Sequence, residues 1–140
     1  MFIGKDQRVG LLSIVSIFAI AFVVASCGGG GSTPNNVVVQ YYSAIEAGDA
    51  DTAASFFADD VVITTPSGNV LTGIDSITGQ FIPYDLQNMD RVEFLTDFTE
   101  SNGKLSWSQA YHELGGNTFE SKCEVTTENG KIVEWIFSNP

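Results

Sequence analysis

Apolar positions recur along this chain with two periods, and the change from one to the other organises its folded part. Val38, Tyr41, Tyr42 and Ile45 stand three or four residues apart, which makes one face of a helix. Asn35 or Asn36 can cap that helix, which is expected to run to about Ala47 with Gly48 just past its end. Asp49 caps a second, short helix, Ala50 to Phe57. The β-branched run Val61 to Thr65 predicts a strand, and Pro66-Ser67-Gly68-Asn69 a turn. Asp75 to Phe81, opened by Gly73-Ile74-Asp75, predicts a weak third helix. From Arg91 onward the period drops to two. Val92, Phe94, Thr96 and Phe98 share one side of a strand over Arg91 to Thr99. Leu105, Trp107, Gln109 and Tyr111 share a face of the next, and Phe119, Ser121, Cys123 and Val125 face inward opposite Glu120, Lys122 and Glu124. Ser101-Asn102-Gly103, Gly115-Gly116-Asn117 and Glu128-Asn129-Gly130 mark turns, and Lys131 to Phe137 is the last strand. Helices first and antiparallel strands afterwards predict an α+β domain with helices over one face of a sheet. In the last strand Val133, Trp135 and Phe137 alternate with Ile132, Glu134 and Ile136. Both faces are then partly apolar, so a covering for the outer face is expected, such as a partner subunit in a homodimer.

The first residues follow another pattern. Lys5 and Arg8 make a basic start, Val9 to Ser26 carries no charge, and Leu11 to Ala25 is almost wholly apolar. This is the layout of an export signal. The apolar run is also close to the roughly 18 residues that span a bilayer, so an uncleaved anchor helix is the alternative. Val24-Ala25-Ser26-Cys27 favours the first reading, because small residues ending in a cysteine resemble the lipobox of bacterial lipoproteins. The resemblance implies cleavage before Cys27, lipidation of its thiol and acylation of its amine. Each buried methylene adds about 0.8 kcal/mol, so several acyl chains hold a protein on a membrane almost permanently. The chain is thus expected to divide into a signal peptide (1–26), a lipidated cysteine with a flexible tether (27–36) and a domain (37–140). Gly28 stands where an Asp would resemble a signal for inner-membrane retention. The expected address is therefore the cell envelope, and the outer membrane in a diderm organism.

Composition narrows the chemistry. The chain has 17 acidic and 6 basic residues, a formal charge of −11. Removing Lys5, Asp6 and Arg8 with the signal leaves 16 and 4, a formal −12. That charge repels phosphate backbones, so a nucleic-acid role is excluded from the expectations. With Cys27 lipidated, Cys123 has no disulfide partner and reads as a small buried hydrophobe. No Cys/His grouping has the spacing of a metal site, and the sequence suggests neither a metal nor a cofactor.

The helix with Ala47-Gly48-Asp49, then Phe56-Phe57-Ala58-Asp59-Asp60-Val61, then Leu71-Thr72-Gly73 with Ile77, and Gly130-Lys131-Ile132 before a final strand resemble the nuclear transport factor 2-like superfamily, which includes SnoaL-like and ketosteroid isomerase-like domains. The resemblance covers nearly all of Val37 to Phe137. It implies a cone: about three N-terminal helices packed on a strongly curved, mostly antiparallel sheet that wraps a pocket. Asp59 and Asp60 then serve as turn and cap residues.

Ketosteroid isomerases place a tyrosine of the first helix and an aspartate of the first strand in the pocket. By that resemblance Tyr41 falls on the tyrosine position, but Thr65 falls on the base position and Ser121 near the second oxyanion donor. Threonine cannot replace a carboxylate base, so that mechanism does not carry over. The weak catalytic candidates are Tyr41 with Glu113 or His112. Neighbouring strand residues face opposite ways, so Glu113 is expected inward and His112 on the convex face or edge. By parity Tyr41, Ile45, Thr65, Trp107, Gln109, Tyr111, Ser121, Cys123, Trp135 and Phe137 line or underlie the pocket. The expected function is a membrane-anchored module that binds a small, largely apolar ligand or serves as an envelope interaction module. A cofactor-independent isomerase, cyclase or hydrolase and a structural homodimer are the alternatives.

Overall fold

The computed structural model describes residues 36–140. The expected export signal, Cys27 and most of the expected tether lie outside the described residues. Helix α1 (Val37–Glu46) begins at Asn36, whose side chain accepts the Val39 N–H. It ends at Ala47, and Gly48 follows with φ 72°. Val38, Tyr41, Tyr42, Ala44 and Ile45 form its buried face. Asp49 caps α2 (Ala50–Ser55) by accepting the Thr52 N–H. This helix stops short of the expected Phe57, which instead opens β1 (Phe57–Thr64) and is buried. β2 (Val70–Thr72) pairs back onto β1.

The third helix departs most from expectation. It does not end at Phe81. α3 (Ile74–Ser76), a π-helical turn (Ile77–Phe81) and α4 (Ile82–Asn88) follow without a break. Pro83 reads in the sequence as a stop, since proline has no N–H to donate and clashes with the preceding turn. Here it falls in the first turn of α4. The preceding π turn, closed by the Ile82 N–H to the Ile77 carbonyl, has already widened the hydrogen-bond pattern. The continued helix turns Ile82 and Asp85, three apart, to the interior.

Strands β3 (Met89–Phe94), β4 (Thr99–Ser101), β5 (Lys104–Glu113), β6 (Thr118–Glu128) and β7 (Lys131–Ser138) complete the sheet. The expected single strand Arg91 to Thr99 is broken. Phe94 pairs with Gln109 but Thr99 with Ser106, so two extra residues bulge out between them and bend this edge. The order is β2-β1-β7-β6-β5-β3, with β4 also on β5. All pairings are antiparallel except β1 with β7. The hairpins at Asn102-Gly103 and Asn129-Gly130 hold both central residues at positive φ, the two-residue geometry that these pairs favour.

β7 corrects the parity reading. Thr126 pairs with Glu134 but Thr127 with Ile132, so Val133 is an extra, bulged residue. The bulge puts Ile132 and Trp135, three apart, on the same inner side, and both are fully buried. Ile132 therefore does not contribute to an apolar outer face. Trp135 centres the core. Its ring meets Phe137 at 5.1 Å, Tyr41 at 5.5 Å, Tyr42 at 5.8 Å and Trp107 at 6.0 Å. Truncating an aromatic so placed costs about 3–5 kcal/mol.

Candidate functional site

The concave face of the sheet is divided between core and cavity. Trp107 pairs with Cys123 and Val125 with Trp135, and all four are buried under α1. One step along the same strands, Gln109 pairs with Ser121 and Tyr111 with Phe119, and there the face opens. The resulting cavity is about 750 Å³, within the size range of small-molecule sites. Its apolar wall comes from Leu71, Phe81, Tyr84, Tyr111, Phe119 and Phe137, with Thr65 to Ser67 and Asn69 at one rim. Tyr42, Asp85, Gln109 and Ser121 are among its polar positions, and Glu120 is the second charged lining residue.

Ten residues were expected to line or underlie the pocket. Thr65, Gln109, Tyr111, Ser121 and Phe137 line it. Tyr41, Ile45, Trp107, Cys123 and Trp135 do not; they lie in the core, 5% exposed or less. For Trp135 and Cys123 the reason is register, since α1 lies over that half of the concave face. Thr65 spends its hydroxyl locally on Ser67, at 2.9 Å, and on the Asn69 backbone. Burial pushes the Cys123 thiol up to about 11, away from reactivity.

Asp85 is the residue that sequence reasoning missed. It reaches the cavity wall from α4 yet is only 4% exposed. Tyr41 donates to its Oδ2 at 2.7 Å and Tyr111 to its Oδ1 at 2.9 Å. Burial raises its carboxyl from 3.8 to about 6, while the two phenols pull the other way by stabilising the anion. The carboxylate in turn raises both phenols, whose burial is the larger cause. A signal was available: Ile82, Asp85, Leu86 and Met89 are spaced three and four apart, so an acid sits on an apolar helix stripe. It was hidden by the proline between Ile82 and Tyr84.

A second relay runs beside it. The Trp107 indole N–H donates to Gln109 Oε1 at 2.9 Å, and Gln109 Nε2 donates to the Tyr42 hydroxyl at 3.0 Å. With its oxygen accepting from Gln109, Tyr42 keeps its own proton for an occupant of the cavity. Glu113 does not line the cavity. It accepts from Tyr84 at 2.6 Å and from Asn117 at 3.1 Å at the mouth, and these bonds hold its carboxyl below the usual range. His112 does not line the cavity; it is bonded to Thr118 at 3.0 Å and lies 3.4 Å from Glu93. Tyr41 therefore meets neither candidate, and its hydroxyl is bonded to Asp85 instead. Among the described residues no three His, Cys, Asp or Glu side chains are grouped to hold a metal.

A model of the SnoaL-like domain matches residues 38–135. Solved structures share the fold at low identity. A putative polyketide cyclase from Sinorhizobium meliloti is 20% identical over 76% of this chain and 95% of its own, with a TM-score of 0.64. A computationally designed 17-OHP binder is 16% identical over 74% and 88%, with a TM-score of 0.65. A protein with a ketosteroid isomerase-like fold from Catenulispora acidiphila, in complex with trimethylamine, is 18% identical over 76% and 85%, with a TM-score of 0.60. No curated protein matches the chain.

Proposed function

This chain belongs to the SnoaL-like domain family, and from that premise we propose that its cavity binds a small, largely apolar molecule at the end of a lipid tether on the cell envelope. The observation that carries the ligand reading is open volume. Trp107 and Trp135 are large enough to fill the concave face, but they pack in its core half and leave about 750 Å³ beside it. Aromatic walls with a few fixed polar groups give affinity through burial and orientation through hydrogen bonds. The likeness in fold to a designed binder of 17-OHP and to a trimethylamine complex supports the cone as a place for small molecules. The tether is carried by Val24-Ala25-Ser26-Cys27 and the glycines after it.

One observation favours a second reading, a cofactor-independent enzyme. Asp85 is an ionisable group near neutrality on the cavity wall, and Tyr42 offers a free donor beside it. A carboxylate can take a proton from a carbon next to a carbonyl while a phenol stabilises the oxygen that gains charge.

One experiment addresses both readings. The domain is incubated with 2-tetralone in deuterated buffer and followed by NMR. Saturation transfer to the ketone, abolished by Leu71→Trp at the wall, is expected for a ligand site. Incorporation of deuterium beside the carbonyl, lost in Asp85→Asn, would move the assignment to the enzyme. Absence of any transfer would sink both.

A further inference from the structure

The charges around the cavity are one-sided. Asp85 and Glu120 are its two charged lining residues, and both are acids. None of the four basic residues described, Arg91, Lys104, Lys122 and Lys131, lines it. Arg91 pairs with Asp90 and Lys104 with Glu124. Asp85 thus holds a buried carboxylate with two neutral phenols and no cation. Two hydrogen bonds orient such a charge but do not neutralise it, and a buried charge left without a counter-ion is costly. Tyr42, Phe81, Tyr84 and Tyr111 line the same cavity. Aromatic faces attract cations, and together with a carboxylate they discriminate charge from shape. The acidic surface of the domain, formal −11 for the whole chain, adds long-range attraction of the same sign.

We propose that the cavity's ligand is a cationic amine, an apolar body whose protonated nitrogen pairs with Asp85 among these aromatic side chains. The assignment rests on the small-ligand reading above and narrows it to one chemical class. Tyr41 and Tyr111 are positioning residues: each spends its proton on the carboxylate and fixes where the cation sits. Tyr42, with its own proton uncommitted, takes a second polar group of the ligand.

Binding then depends on pH in a stated direction. The titratable groups around Asp85 are Tyr41 and Tyr42 of α1, Tyr111 of β5 and Tyr84 on its own helix, with Glu113 behind Tyr84 and Glu120 on the cavity wall. The four phenols are all raised and stay protonated, and Glu113 is lowered and stays ionised. Asp85, at about 6, is therefore the group that changes charge near neutrality. As pH falls through that value the carboxylate is neutralised and the preference for a cation disappears.

The test uses a matched pair, 1-naphthylmethylamine and 1-naphthalenemethanol, titrated into the domain by fluorescence. At about pH 8 the protonated amine is expected to bind roughly tenfold tighter than the alcohol, the size of one charge-assisted contact. That ratio should approach one in Asp85→Asn, and in the wild-type protein at about pH 5, where Asp85 is neutral. The pH series needs no variant, so it stands even if Asp85→Asn does not fold. Equal binding of amine and alcohol by the wild-type protein at the higher pH, or a preference that survives Asp85→Asn, overturns the amine while leaving the small-ligand site intact. Binding of neither compound overturns both.

Discussion

Replacing Asp85 by asparagine is expected to stabilise the domain above neutral pH and to leave it unchanged in acid. The folded carboxyl titrates at about 6 against 3.8 ordinarily. Below about pH 4 the folded and unfolded chains both hold the proton; between about 4 and 6 only the folded chain does. Stability therefore falls as pH rises through that window and stays lower above it, by roughly 2–3 kcal/mol. Asparagine keeps the shape and can still accept from one phenol and donate to the other. Calorimetry of the variant at about pH 8 should show a melting point several degrees higher. A lower one would mean that the anion itself ties α1, α4 and β5 together. Residue by residue, the site was partly legible. Gln109, Ser121 and Tyr111 follow from strand alternation, and their partners across the ladder from the turns that set register. Asp85 was not legible, because reading it inward requires a helix to continue through Pro83.

Elements were predicted best where a local signal fixed them. The Asn36 and Asp49 caps and the two Asn-Gly hairpins depend only on neighbouring residues, and the structure has all four. The errors lie where tertiary packing adds or removes one residue from a period. The β7 bulge is the clearest case. Deleting Val133 would leave Ile132 and Trp135 two apart, the spacing at which a regular strand keeps both on one face. Both side chains then stay inside, and only the local bend and twist of the bulge are lost. Chemical denaturation of the deletion variant should therefore register less than the about 1.5–3 kcal/mol that exposing one such side chain costs. A larger loss would show that the bend, and not only the parity, is needed to close this strand on the core.

For the molecule as a whole, the charge and the proposed anchor set the terms. Among the described residues no helix is long and apolar enough to cross a membrane. Attachment, as proposed, then falls to the segment before the domain. A Cys27→Ala variant of the full chain should leave the membrane fraction on cell fractionation. Retention there would assign the attachment to the apolar run itself. The proposed homodimer rests now on fewer residues, since Ile132 has moved inside and Ile136 remains on the outer side of β7. The α+β architecture was legible from the change of period alone. The placement of a cavity beside a core was not, because parity assigns a face and cannot say which half of it a helix covers.

The only parallel pairing in the sheet joins its first strand to its last, and β7 separates β1 from β6. Neither β1 nor β6 has its second neighbour, β7, until residues 131–138 have been synthesised. Contacts this distant in sequence slow folding and delay closure of the core. An emerging chain can gather its helices and the β5–β6 hairpin, but it cannot bury Trp135 before β7 has emerged. The domain stays threadable until β7 appears, a property that the proposed export through a narrow pore would use.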